Sequence, residues 1–382
     1  VVAGSLAGPE GPATILVEDG TIARILPGHP PVDGPVVGEG CDVVTPGLID
    51  VHTHGAAGVQ TIDGDVGALR RLGAFYATHG VTAYLATIGG SPPAIEAGLR
   101  AARDLIIGDP REPAGAQCLG AHLEGPFINC CCPGAFDPAS IIAPDLAVFE
   151  RYAATAAGTL RHITLAPEVA GQHDVIRAAG RAGITCSAGH SAATETQMLE
   201  AIELGVGAVT HIFNAMPPMH HRDPGIVGVA LTDPRLVAEL IADGVHVHPR
   251  IIELLNVAKT PQRIALVTDS IAATGLSDGD YHFEERPITV HNRQARLADG
   301  TLAGSTLTLD DAVANFAAYA GISWDDAVVS ATTTPARLLG IDDRKGRLDV
   351  GYDADLVGWS PGHRVRWTIV RGRPVPDAAA TG

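Results

Sequence analysis

Six side chains in this sequence share a chemistry and a placement. They are His52 and His54 in "IDVHTHG", Glu124 in "AHLEGP", His190 in "SAGH", His211 in "THIFNA" and Asp269 in "VTDS". Imidazole nitrogens and carboxylate oxygens are donors that divalent transition metals accept. His52 and His54 are two residues apart, so on a strand both rings face one side and reach one ion. An H-x-H pair alone is weak evidence. A single His190 or His211 also reads as a hydrogen-bonded, half-buried histidine. The set carries more weight than its members, because each residue follows a short apolar run of strand character. Side chains delivered from successive strand ends to one face mark the active end of a barrel.

The elements that must position them alternate along the middle of the chain. Strand patterns at 48–51, 81–87, 118–125, 160–168, 184–190, 207–215, 236–244 and 263–270 are spaced by helical patterns. The helices fall at 66–79, 94–107, 145–157, 173–182, 194–204 and 250–258. Eight strands in this alternation point to a barrel rather than an open doubly wound sheet. Ahead of them, "ATILVEDGTIARILPG" holds two strand-like runs around Asp19-Gly20, a hairpin signal. Behind them come a hairpin-like stretch at 280–298, helices near 308–320 and 324–332, and a tail that returns to strand patterning. The expected fold is α/β. A TIM-like (β/α)8 barrel spans 46–345 and is inserted between residues 1–45 and 346–382, which form one small β-sandwich domain.

Composition narrows the function classes. The chain has 382 residues, 46% of them hydrophobic and only 4% aromatic, so a large core is built mainly from Ala, Val, Leu and Ile. The formal net charge of -17 argues against nucleic acid as a partner, since a duplex repels such a surface without a basic patch. Arg364, Arg366, Arg371 and Arg373 alternate with apolar residues and read as a solvated strand face. No apolar run has membrane-spanning length, and no basic segment precedes an apolar stretch near the start. The six cysteines are Cys41, Cys118, Cys130, Cys131, Cys132 and Cys186. Three in a row make a poor disulfide framework, so reduced thiols in a cytoplasmic protein are expected. Thiol ligation of a metal at Cys130–Cys132 is a minor alternative.

Longer motifs carry a resemblance. "PGLIDVHTHG", "HLEGPF", "SAGHS", "THIFNAMPPMHHRDPG", "DGVH", "VTDS" and "GTLAGS" resemble the N-acetylglucosamine-6-phosphate deacetylase family of the amidohydrolase superfamily. The similarity runs from about residue 46 to about residue 346. H-x-H and the final Asp belong to the whole superfamily, whereas the "HIFNAMPPMHHRDPG" segment is specific to the family. The resemblance implies that Glu124, His190 and His211 hold one divalent ion. It implies that His52 and His54, with Glu124 and Asp269, hold a second in members that keep H-x-H. Zinc is the expected metal, as one or two ions per subunit. Many binuclear relatives bridge their ions with a carboxylated lysine on strand four. The only lysines here are Lys259 and Lys345, so Glu124 is the available bridge.

The chemistry implied is deacetylation of N-acetyl-D-glucosamine 6-phosphate to D-glucosamine 6-phosphate and acetate. A divalent ion polarises the amide carbonyl and lowers the pKa of bound water. Asp269 is expected to take the water's proton and pass it to the leaving nitrogen. By resemblance His246 belongs to the substrate pocket as a donor to the carbonyl or a sugar hydroxyl, with His248 a polar loop neighbour. Asn214 and Ala215 contact the phosphosugar, and His221 and Arg222 resemble the phosphate pair. Leu302, Ala303 and Gly304 resemble the loop over the N-acetyl end. In the family the 214–222 loop reaches the neighbouring active site, which implies a homodimer. One departure stands out. The family often has "GAH" after "HLEGPF"; here the segment reads "NCCCPGAFDP", with Phe136 in the histidine's place. This bears on substrate preference, including which N-acyl hexosamine 6-phosphate is taken. The alternatives are a deaminase or N-acyl-D-amino-acid deacylase, and, more remotely, a non-catalytic sugar-phosphate-binding module.

Overall fold

The computed structural model describes residues 2–5, 12–28, 43–108 and 115–375. Its centre is a sheet of eight parallel strands in sequential order. They are β1 (Leu48–Thr53), β2 (Val81–Ile88), β3 (Gln117–Glu124), β4 (Leu160–Leu165), β5 (Thr185–Ala188), β6 (Val206–Val209), β7 (Val237–Leu240) and β8 (Ile264–Leu266). Nearly every residue of these strands is buried, as expected of parallel strands covered on both faces. The ring closes beyond β8. There the amide of Asp269 donates to the His52 carbonyl at 2.9 Å, and that of His54 to the Ser270 carbonyl at 2.8 Å. Asp50 reinforces the seam by accepting the Thr268 hydroxyl at 2.6 Å.

The expected helices are present as α1 (Val66–Thr78), α2 (Pro92–Ile107), α3 (Leu146–Ala156), α4 (Gln172–Arg181), α5 (Glu195–Leu204) and α7 (Pro249–Lys259). Side-chain caps define several starts. Asp65 accepts the amides of Gly67 and Ala68 at the start of α1, and Thr194 with Gln197 forms a capping box on α5. His248 caps α7 by accepting the Arg250 amide. Between β6 and β7 lies α6 (Gly225–Thr232), which the sequence reading did not anticipate. Its "GIVGVALT" has no polar face, so no helical period betrays it. Beyond the barrel come α8 (Leu309–Ala320), α9 (Trp324–Val329) and α10 (Thr333–Leu338), with a three-stranded antiparallel sheet from Gly279 to Arg296 before them.

Both chain ends supply the small β unit. Pro12–Glu18 and Thr21–Pro27 form the hairpin, with Asp19 and Gly20 at φ 49° and 81°. Two successive left-handed residues are what a tight hairpin turn requires, and Asp-Gly supplies them. Val43–Pro46 pairs with Leu356–Trp359, and Ile15, Ile22, Val44, Leu356 and Ile369 share one core. The Trp359 indole donates to Thr45 at 2.8 Å and packs edge-on against Trp324, tying this unit to α9. Arg364, Arg366, Arg371 and Arg373 are all exposed, as a solvated strand face requires. Cys41 lies outside the described residues, and the other five cysteines are free. Among the described residues no helix is long and apolar enough to cross a membrane.

Candidate metal centre

The strand ends bring the six singled-out residues to one place. Glu124 is the last residue of β3, and each of its carboxylate oxygens faces a different histidine pair. Oε2 lies 2.9 Å from His54 Nε2 and 3.2 Å from His52 Nε2. Oε1 lies 3.1 Å from His211 Nε2 and 3.2 Å from His190 Nε2. Asp269 Oδ1 stands 3.4 and 3.3 Å from the Nε2 atoms of His52 and His54. Two triads with converging donors result, His52–His54–Glu124 and Glu124–His190–His211, all buried. Each can hold one ion, with Glu124 common to both.

The donor set fits a cation. The Cys132 carbonyl can only accept, so His190 donates Nδ1–H to it at 2.9 Å. In its neutral form the ring then presents a lone pair at Nε2, toward the Glu124 carboxylate and, at 3.1 Å, the Nε2 of His211. Lone pairs facing one another need a positive charge between them. The local field favours one: burial opposes protonation of His54, but hydrogen bonds to Asp269 and Glu124 carry its pKa up to about 9. Burial also works against the charged form of Glu124. Even so, His52 and the ring contacts of His190 and His211 hold its carboxyl well below the usual range.

His190, His211 and Asp269 sit two or three residues past their strands, whereas the strand patterns of the sequence run through 190, 215 and 270. Their φ angles are 48°, 29° and 49°. At the barrel mouth the chain turns left-handed to aim these side chains inward. That conformation costs a non-glycine residue about 1–3 kcal/mol and collects at functional sites. Gly304 touches the same corner. A Cβ there would lie 2.8 Å from the Asp269 carbonyl and 2.4 Å from Ile271 Cγ2, so only glycine lets the 302–304 segment approach. Ala303 beside it is fully buried.

The remaining substrate candidates divide. His246 is half-buried after β7, its ring bound at Nδ1 by Asp243 at 2.7 Å. Asn214 folds back on the carbonyls of His211 and Ile212, and Ala215 has φ 51°. His221 and Arg222 point to solvent, the guanidinium 2.6 Å from the imidazole, and have no contact with the metal cluster of their own chain. Neither lysine lies on a barrel strand. Lys259 ends α7 and donates to the Asp233 carbonyl, and Lys345 is buried against Asp353 and Asp355. Among the described residues no cysteine joins a metal-ligand cluster, and Cys132 contributes its carbonyl rather than its thiol.

Phe136 forms a wall of the centre. It is 4% exposed, with its ring centroid 5.1 Å from that of His190 and 6.5 Å from that of His54. Arg286 fixes it by donating to the carbonyls of Ala135 and Phe136. Sequence reasoning missed several polar supports. Asp243 orients His246, and Glu168 gathers the Asn129 amide, the Ser191 hydroxyl and the Ala192 amide. Glu239 and His162 lie inside the barrel. Asp243 had a usable signal, an Asp three residues before a candidate histidine; the others sit in apolar runs that read only as strands.

This fold and this centre define a metal-dependent barrel hydrolase. The amidohydrolase family matches residues 43–375, and the chain belongs to it, in the branch of the N-acetylglucosamine-6-phosphate deacetylases. It is 37% identical to the N-acetylglucosamine-6-phosphate deacetylase of Bacillus subtilis, over 93% of this chain and 91% of that protein. It is 36% identical to an N-acetylgalactosamine-6-phosphate deacetylase of Escherichia coli O157:H7, over 94% and 93%. A Mycobacterium smegmatis N-acetyl-D-glucosamine-6-phosphate deacetylase variant, solved in complex with N-acetyl-D-glucosamine-6-phosphate, superimposes with a TM-score of 0.90. That match has 31% identity over 98% of this chain and 99% of the other.

Proposed function

We propose that this enzyme deacetylates N-acetyl-D-glucosamine 6-phosphate, releasing D-glucosamine 6-phosphate and acetate. The observation that carries the reading is Glu124 shared between two histidine pairs beside Asp269, in a chain so similar to deacetylases of this substrate. Zinc, as one or two ions, is our choice of metal, supported by the predominance of imidazole donors. A divalent ion held there would polarise the amide carbonyl and lower the pKa of water beside it. Asp269 accepts the proton of the attacking water and delivers it to the leaving nitrogen. His246, steadied by Asp243, donates to the carbonyl oxygen or a sugar hydroxyl. The segment Leu302–Gly304 closes over the acetyl group, while Asn214 and Ala215 hold the sugar.

His221 and Arg222 bind the phosphate of a neighbouring subunit's substrate in a homodimer. Their exposure, free of their own metal cluster, supports that reading, as does the apolar stripe of Ile251, Leu254 and Val257 exposed on α7. The free thiols support a reducing, cytoplasmic location. We place the boundaries between the small β unit and the barrel at 45/46 and 345/346. The likeness to an N-acetylgalactosamine-6-phosphate deacetylase, together with Phe136, favours a second reading in which the galacto epimer is also accepted. Acetate release from both phosphorylated epimers and from unphosphorylated N-acetylglucosamine tests the reaction and the substrate preference. No release from either phosphorylated sugar by metal-loaded protein would end the proposal.

A further inference from the structure

Barrel interiors are usually filled by branched apolar side chains. Below the mouth of this one lies a fully buried polar layer containing His52, His122, His162 and Glu239. Glu239, on β7, is the carboxylate that two of these imidazoles share. One oxygen, Oε1, lies 2.9 Å from His162 Nε2, and the other, Oε2, lies 3.3 Å from His52 Nδ1. A buried carboxylate is tolerated only where donors satisfy it, so both ring nitrogens act as N–H donors. For His162 the opposite nitrogen has no partner, which places its proton on Nε2. In its neutral form His52 then carries its proton on Nδ1 and presents a lone pair at Nε2. That atom faces Glu124 and Asp269.

We propose that Glu239 is a positioning residue that sets the His52 tautomer and so creates metal affinity at the first-strand site alone. The second triad does not depend on it, because His190 takes its orientation from the Cys132 carbonyl. The inference rests on the two-ion reading of the centre. Glu239→Gln separates the two sites. A glutamine offers one acceptor oxygen to two ring N–H groups. His162 makes the shorter contact and keeps it, so His52 meets the NH2 group. Its Nδ1 must then accept, which moves the ring proton to Nε2 and blocks ligation there.

The experiment titrates metal-free wild type and Glu239→Gln with zinc, by calorimetry and by elemental analysis after gel filtration. Circular dichroism checks the fold. Wild type is expected to bind two ions. In the variant one class of site should weaken about 10- to 100-fold, while the other stays within about twofold. Unchanged binding at both sites, or equal weakening of both, would overturn the proposal, since a merely structural role affects the whole centre. If the variant does not fold, the ring NMR signals of His52 in zinc-loaded wild type decide the matter. A solvent-protected, downfield Nδ1–H with the metal on Nε2 is expected, and an Nδ1 that exchanges as freely as an unpartnered ring N–H, or a metal on Nδ1 itself, refutes it. Wild type that binds one ion would end the two-ion reading, while the tautomer measurement still judges Glu239.

Discussion

Replacing Arg222 with alanine isolates the phosphate contact. The side chain is exposed, and among the described residues its guanidinium meets the His221 ring and no carboxylate. Its removal therefore leaves no buried charge unpaired, and the stability change should stay within about 0.5 kcal/mol. A charge-assisted hydrogen bond to phosphate contributes roughly 1.5–3 kcal/mol, which is about 10- to 150-fold in kcat/KM. The loss should fall on N-acetyl-D-glucosamine 6-phosphate and leave the weak activity on N-acetylglucosamine unchanged, because that substrate has nothing for Arg222 to bind. Metal content should not change, since the metal donors are untouched. The assay is steady-state acetate release from both sugars by wild type and variant. Equal kcat/KM for the two sugars in wild type would refute the phosphate argument. An equal fold-loss on both sugars in the variant would show that the effect passes through the site's architecture rather than through phosphate.

Mixing Arg222→Ala protomers with Asp269→Asn protomers should raise activity on the phosphorylated sugar above that of either homodimer. One site of the hybrid then joins an intact Asp269 to an intact Arg222 from its neighbour, and absence of recovery would place the loop in its own subunit's site. Asp269→Asn alone should lower kcat by about 10²–10⁴-fold with substrate binding retained, measured by single-turnover kinetics and calorimetry. Gly304→Ala should lower kcat with little loss of fold, because the new Cβ pushes on the Asp269 carbonyl; a variant of wild-type kcat would remove the steric argument. Stripping metal with a chelator should abolish turnover and lower Tm, and zinc should restore both. Ligands that bind only the folded state stabilise it by mass action, so an unchanged Tm with full activity would exclude the centre described here.

How much of this was legible in advance differs by kind of information. The alternation of apolar strand runs and helical patterns was local, and it gave the eight strands and most helices directly. The Asp19-Gly20 turn was equally local, because left-handed backbone is a property of single residues. His52 and His54 were readable from strand periodicity, and Glu124, His190, His211 and Asp269 from their place after apolar runs. The turns at those last three residues were not readable, since a positive φ on histidine or aspartate is imposed by the packed barrel mouth. Nor was α6, whose "GIVGVALT" is apolar on every side and so shows no helical period.

The supporting polar groups were the least visible. Glu239, His162 and Asp50 each sit inside a barrel strand, and a period of two states only which side of a strand a residue faces. That Glu239 meets His52 and His162 depends on the closure of eight strands, which brings β1, β4 and β7 around one axis. Phe136 was visible as a departure in the sequence. That its ring covers His190 and His54 was decided by the loop's course and by the hold of Arg286, 150 residues further on. Residue type and spacing thus determined the chemistry this chain can do. Only the tertiary structure decided which donors share an oxygen, which tautomers they adopt and what walls them in, because those depend on distances that chain order does not encode.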